Sequence, residues 1–295
     1  MISDIISLVP DIILRVLNKI CHLEELAIKI RKNIVTMLLE AGSGHPAGAI
    51  GMAEVFAALY FEVMNIDPHK PDDPNRDRLV LSAGHMVPVW YATLAERGYF
   101  DEKLLWKLRK FDSPLQGHPV LASIPGIENT SGSLGQGLSQ AIGMALAAII
   151  DQKDYRVYCI TGDGELQEGQ IWEAAMLAPK YNLANLAWII DRNRIQLSGN
   201  TEELMPLEQL RAKLEAFNWN VMEINGHDIE EIVSACNMAR NVTQRPSAII
   251  ANTTPGKGID FMENKYEWHG KSFNKTEAKK ALAELSTLSN RISKV

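Results

Sequence analysis

Residues 155–200 read YRVYCITGDGELQEGQIWEAAMLAPKYNLANLAWIIDRNRIQLSGN, and this stretch decides the fold. A short apolar run over 157–161 stops at Gly162, Asp163 and Gly164. Ile171, Ala174, Ala175, Leu177 and Ala178 then recur at helical spacing, with a stop near Tyr181 and Asn182. A second apolar run, 186–190, ends in Asp191, Arg192 and Asn193. Strand, polar turn, helix, strand, polar turn is a βαβ unit. Its two turns fall at the carboxyl ends of parallel strands that are neighbours or nearly so.

That unit brings Asp163 and Asn193 together across thirty positions of sequence. Both offer hard oxygens, which suit Mg²⁺, an ion that takes one or two protein oxygens beside phosphate oxygens and water. Gly162 and Gly164 let the backbone approach a phosphate and tolerate positive φ. The helix behind them can turn its first N–H groups toward an anion. The stretch reads as a magnesium-diphosphate site. Gly-Asp-Gly after a strand is by itself often only a tight turn; the second turn, behind a second strand, lifts the reading above that.

Working outward, the composition is that of a globular protein: 295 residues, 46% hydrophobic and 22% charged. A net charge of −6 and no Lys/Arg cluster argue against nucleic-acid binding. Cys21, Cys159 and Cys236 are too few and too scattered for a disulfide framework or a zinc site, and a reducing cytoplasm fits. Residues 1–22 are apolar but lack a basic start and a cleavage site, and Pro10, Asp11 and Arg15 interrupt them. Neither a signal peptide nor a membrane span is expected; a helical extension against the surface or a partner is. Residues 23–295 are expected to form the diphosphate-binding domain.

An amphipathic helix is predicted over 23–41, a loop over 43–48 and a helix over 52–64. A strand at 78–82 leads through Gly84 and His85 into a helix ending near Gly98. Residues 130–137 open a helix running to 150, whose set Leu134, Leu138, Ala141, Ile142, Ala145 and Ile149 marks it as deeply buried. Further on come a helix near 207–217, a strand at 219–224, a helix capped by Asp228 and ending near 240, a strand at 247–251 and a helix near 276–285. The fold class is α/β: a doubly wound, mainly parallel sheet flanked by helices. Strand order is not readable from the sequence.

Four of the seven histidines, His45, His85, His118 and His269, sit in glycine-bearing loops. One such histidine is usually a satisfied structural residue. Four beside a diphosphate turn suit a pocket that handles hydroxyls, a carbonyl and a phosphate, because imidazole titrates near neutrality.

GDGELQEG and DRNRIQLSG, with these histidine loops, resemble transketolase over about residues 23–279. The resemblance implies the thiamin diphosphate-binding fold, with thiamin diphosphate and Mg²⁺ as cofactors. Position by position, it implies Asp163, Asn193 and the main-chain carbonyl of Ile195 as metal ligands. Gly162, Gly164 and His85 would contact the diphosphate, and His269 would lie between diphosphate and substrate. His45 and His118 would hold the donor sugar and assist proton transfer. Gly132 and Leu134 match the loop under the thiamin ring, with Ser133 where many members have Pro. Glu168 and Glu173 match acids that link two active sites, although acids favoured at a helix N-terminus read equally well there. Arg192 departs from the pattern, since a second Asn usually stands at that position.

Family members run to more than twice this length, and their second domain binds the aminopyrimidine and supplies the glutamate that protonates it. The expected function is therefore that of the N-terminal subunit of a split transketolase. It would move a two-carbon ketol unit between sugar phosphates with a C-terminal partner chain. The expected assemblies are a homodimer alone and a two-plus-two complex with the partner. The rivals are a 1-deoxyxylulose-5-phosphate synthase-like or 2-oxoacid dehydrogenase α-like subunit, or a non-catalytic cofactor-binding module. The donor and acceptor sugars are not legible.

Overall fold

The computed structural model describes residues 2–292, with side chains at 14, 17–290 and 292. The first helix, α1 (Ile2–Ala41), continues the predicted 23–41 helix back through the extension as one element. How the side chains at 1–13 pack lies outside the described residues. Then come α2 (Pro46–Gly51), α3 (Ala53–Ala58) and a π-helical turn (Leu59–Val63). The predicted 43–48 loop is thus shorter and the 52–64 helix is broken: Pro46 supplies the fixed φ that starts α2 early.

Strand β1 (Arg78–Leu81) precedes α4 (Val87–Arg97), which ends at Gly98 in the left-handed conformation. Helix α5 spans Gly137–Ile150, β2 Val157–Gly162 and α6 Gly169–Lys180. Strand β3 (Leu186–Arg192) runs into a small antiparallel ribbon, β4 (Ile195–Gln196) with β5 (Gly199–Asn200), that the sequence did not reveal. Helices α7 (Thr201–Leu204) and α8 (Leu210–Ala216) lead to β6 (Asn220–Asn225). Helix α9 (Ile229–Asn241) carries the predicted cap, Asp228 accepting from the Glu231 N–H at 3.0 Å. Strand β7 (Ser247–Asn252) and helix α10 (Lys275–Ile292) complete the order.

The five main strands run in the order β1-β2-β3-β7-β6, all parallel. A parallel sheet is buried on both faces, which is why its strands read as continuous apolar runs. Period two then deals alternate residues to opposite cores. Leu79, Leu81, Tyr158, Ile160, Ile189 and Ile249 face the core built by α1 to α4, α9 and α10. Val80, Cys159, Trp188, Ile190, Ala248 and Ile250 face the one built by α5, α6 and α8. Cys159 is a small core residue there.

Residues 52–64 are almost wholly interior, with Phe61 and Glu62 partly exposed. One feature differs from expectation. Helix α5 begins only at Gly137 and is buried on one side: Leu138, Ala141, Ile142 and Ala145 face the core, while Ile149 is 50% and Ile150 77% exposed. Among the described residues, no helix is long and apolar enough to cross a membrane.

Candidate active site

The loops after β1, β2, β3 and β7 meet at one end of the sheet, where parallel strands leave the carboxyl-end crevice open. Asp163 follows the last residue of β2 and caps a short 3₁₀ turn, Gly164–Gln167. Its Oδ1 accepts from the Gly164 N–H at 2.7 Å. Its Oδ2 accepts from the Arg194 N–H at 2.6 Å and from Arg192 Nη1 at 2.8 Å. The bond from Arg194 draws the turn after β3 onto Asp163, and so places Asn193 at the same spot. Asn193 is held by two local bonds: Nδ2 donates to Asp191 Oδ2 at 2.7 Å and Oδ1 accepts from the Ile195 N–H at 3.0 Å. Asp191 is fully buried and also accepts from the Thr253 hydroxyl; burial, more than any charge beside it, pushes it up to about 7.

These groups open onto a cavity of about 260 Å³. From the β2 and β3 sides it is lined by Gly162, Asp163, Gly164, Glu168, Asn193 and Ile195. His85, Leu134 and His269 line it from the facing loops. His45 joins them: the ring centroids of His45 and His85 are 5.2 Å apart, of His45 and His269 5.8 Å, and of His85 and His269 5.1 Å. His118 stands beside Gly132, where an added Cβ would meet its ring at 3.9 Å. The predicted site residues are thus gathered, apart from Glu173, which lies exposed on α6.

Two local expectations need correction. Gly162 and Gly164 have no positive φ, and a Cβ on Gly164 would meet the end of the Gln196 side chain, with Oε1 at 2.9 Å. The long helix also does not begin at the Gly-Asp-Gly turn. The 3₁₀ turn intervenes and α6 starts at Gly169, because Asp163 caps the nearer turn instead.

The histidines are held neutral. Burial, with His269, Arg109 and His118 nearby, lowers His45 to about 4. Burial, reinforced by the neighbouring histidines, drops His85 well below the ordinary value. His269 is lowered by burial, and His118 by burial and then Arg109.

Sequence reasoning missed two residues. Glu165, buried on the 3₁₀ turn, accepts from the Ser82 hydroxyl, from the Gly135 N–H at 2.7 Å and from the Gly162 N–H at 3.1 Å. It therefore ties three loops of the site together, and burial raises it to about 7. Its place directly after Gly-Asp-Gly was the available signal. Arg109, the second, lies against Gly117 and donates to Ser43 Oγ at 3.3 Å, a position that only the fold reveals.

The donor set fits a divalent cation and a diphosphate. A carboxylate has about four lone-pair sites. Three of Asp163's are filled by N–H donors, and the fourth is free for an ion. Among the described residues, no cluster of three His, Cys, Asp or Glu side chains could hold a metal alone. A cation here would rest on one carboxylate, one amide and one carbonyl, with phosphate oxygens completing the shell, which is the habit of Mg²⁺. The Nδ1 atoms of His45 and His269 are buried and have no hydrogen-bond partner among the described residues.

The family described as "Transketolase, thiamine diphosphate binding domain" matches residues 23–289. The 6-deoxy-6-sulfo-D-fructose transketolase subunit SqwG of Clostridium sp. (strain MSTE9) is 46% identical over 256 residues, covering 87% of this chain and 93% of that one. An apulose-4-phosphate transketolase subunit of Phocaeicola vulgatus is 41% identical over 266 residues, covering 90% and 94%. Human transketolase is 40% identical over 269 residues, which are 91% of this chain but 42% of that one. The crystal structure of Campylobacter jejuni transketolase superposes with a TM-score of 0.84 at 33% identity, covering 92% of this chain and 45% of that one. The chain therefore belongs to the transketolase family and corresponds to its thiamine diphosphate-binding, N-terminal part.

Proposed function

We propose that the chain is the diphosphate-binding subunit of a two-chain, Mg²⁺-dependent transketolase that moves a two-carbon ketol unit between sugar phosphates in the cytoplasm. The observation that carries this is the convergence of the Asp163 turn, the Asn193 turn and the His85 and His269 loop tips on one cavity. Residues 23–295 are the cofactor-binding unit on this reading, and residues 1–22 are an extension. Asp163, Asn193 and the Ile195 carbonyl hold the ion. Gly162, Gly164 and His85 seat the diphosphate, with Glu168 at the cavity wall. Leu134, 37% exposed, offers an apolar seat for the thiamin ring beside Gly132. Bound thiamin diphosphate supplies the carbanion chemistry. His45, His118 and His269, kept neutral by burial, accept hydrogen bonds from the sugar and pass protons at its carbonyl and hydroxyl end.

Support for a partner comes from relative lengths: the chain spans 94% of the apulose-4-phosphate transketolase subunit but 42% of the human enzyme. Two copies with two partners, and a homodimer alone, are the expected assemblies. The test is co-expression with a chain carrying the C-terminal half, followed by ketol transfer from a ketose phosphate to an aldose. Activity is expected in the complex and absent from either purified chain. Transfer by this chain alone, or none by a well-formed complex, would overturn the reading.

A further inference from the structure

Arg192 is a large side chain, 1% exposed, with its charged end inside the site described above. Nη1 donates to Asp163 Oδ2 at 2.8 Å and to Thr201 Oγ1 at 3.0 Å. Nη2 donates to Glu202 Oε1 at 2.7 Å and to Glu208 Oε1 at 2.8 Å. Burial alone would lower its pKa, but the bonds to Glu208, Asp163 and Glu202 more than offset that and raise it. The guanidinium therefore stays charged. It is clamped between β3 and the segment that holds α7, and its planar fork can serve all four partners at once.

The consequence follows from counting lone pairs on Asp163. Oδ2 already accepts two N–H donors, Arg192 Nη1 and Arg194 N, so it is saturated. Oδ1 accepts one, from Gly164, and keeps one lone pair. A cation can then reach Asp163 through Oδ1 alone. Mg²⁺ is content with single-oxygen contacts in a tight octahedron, whereas Ca²⁺, with six to eight ligands, gains from carboxylates that offer both oxygens.

We propose that Arg192 is a positioning residue that forces one-oxygen coordination by Asp163 and so biases the site toward Mg²⁺ and against Ca²⁺. The inference rests on the reading of Asp163 as a metal ligand. The charge of Arg192 repels both divalent ions alike, so it cancels in the ratio of their affinities. That ratio reports how many carboxylate oxygens the ion can use.

The test is calorimetric titration of Mg²⁺ and of Ca²⁺ at fixed thiamin diphosphate, on the chain assembled with its partner. The wild type is expected to favour Mg²⁺. In Arg192→Met, whose shorter unbranched side chain has no donors, one Oδ2 lone pair is freed. The Ca²⁺/Mg²⁺ affinity ratio should then rise by about tenfold, the lower end of what changes beside a ligand produce. Arg192→Lys, which can still fill Oδ2, should stay near the wild-type ratio. A wild type that prefers Ca²⁺, or an unchanged ratio in a folded Arg192→Met, would overturn the inference. A Ca²⁺ preference in the wild type overturns it even where the variant does not fold. Asp163→Ala serves as the separate control: if it still binds cofactor with full Mg²⁺ dependence, the metal assignment itself has failed.

Discussion

At the scale of single residues, the site works by holding histidines neutral, and this has a measurable cost at low pH. Unfolded histidine titrates near 6.5, while His45 in the fold titrates at about 4. A depressed pKa means that the unfolded chain takes up a proton which the native chain refuses. The stability is fully present above about 6.5 and is lost as pH falls toward 4. Glu165 and Asp191, raised to about 7 by burial, act in the opposite sense, because there the native chain binds the proton first. The total slope therefore mixes both, and the difference between wild type and His45→Gln isolates the histidine. Urea denaturation at pH 7.5, 6 and 4.5 should show a smaller acid loss in His45→Gln. Parallel curves would mean that His45 is not depressed in the fold.

At the scale of elements, the site depends on how turns are tied to strand ends. Glu165 satisfies a donor from each of the loops after β1, before α5 and at the end of β2. Replacing it with Ala strands a buried N–H at Gly135 and a half-buried one at Gly162, at about 1–3 kcal/mol for an unpaired buried group. We expect Glu165→Ala to lose at least about 2 kcal/mol in urea denaturation. Glu165→Gln, which keeps one acceptor and matches a carboxyl already half protonated near neutrality, should lose less. Faster amide exchange confined to Gly135 and its loop would locate the effect; equal stabilities for wild type and Glu165→Ala would show that the tie is dispensable. Helix α5 teaches the complementary lesson. Its composition reads as deeply buried, yet its exposed side carries Ile149 and Ile150.

At the scale of the molecule, the expected homodimer can be tested through the apolar side chains that α5 leaves exposed, Ile149 and Ile150. Light scattering on the isolated chain should report a dimer, and Ile150→Asp should shift it toward monomer. A wild type that stays monomeric at tens of micromolar would remove the homodimer expectation. A dimer unchanged by the substitution would move the interface elsewhere.

The sequence by itself determined much of what depends on neighbours along the chain, though not the β4–β5 ribbon. Apolar runs without alternation announced a parallel sheet, and the interval between two polar turns announced a βαβ unit that brings the Asp163 and Asn193 turns together. Helix existence was legible for the same reason, while the start of α5 at Gly137 was not, since its N–H is taken by Ser82 Oγ from a distant loop. Only the tertiary structure decided the strand order β1-β2-β3-β7-β6, the half-exposed face of α5 and the meeting of His45, His85 and His269. It alone also revealed that Arg192, which reads as a mere departure from a motif, turns inward onto Asp163. The physical reason is the same in each case. Periodicity and turn chemistry act within a few residues, whereas a side chain's partners are chosen by segments that folding brings in from far along the chain, as Gly135 is brought to Glu165.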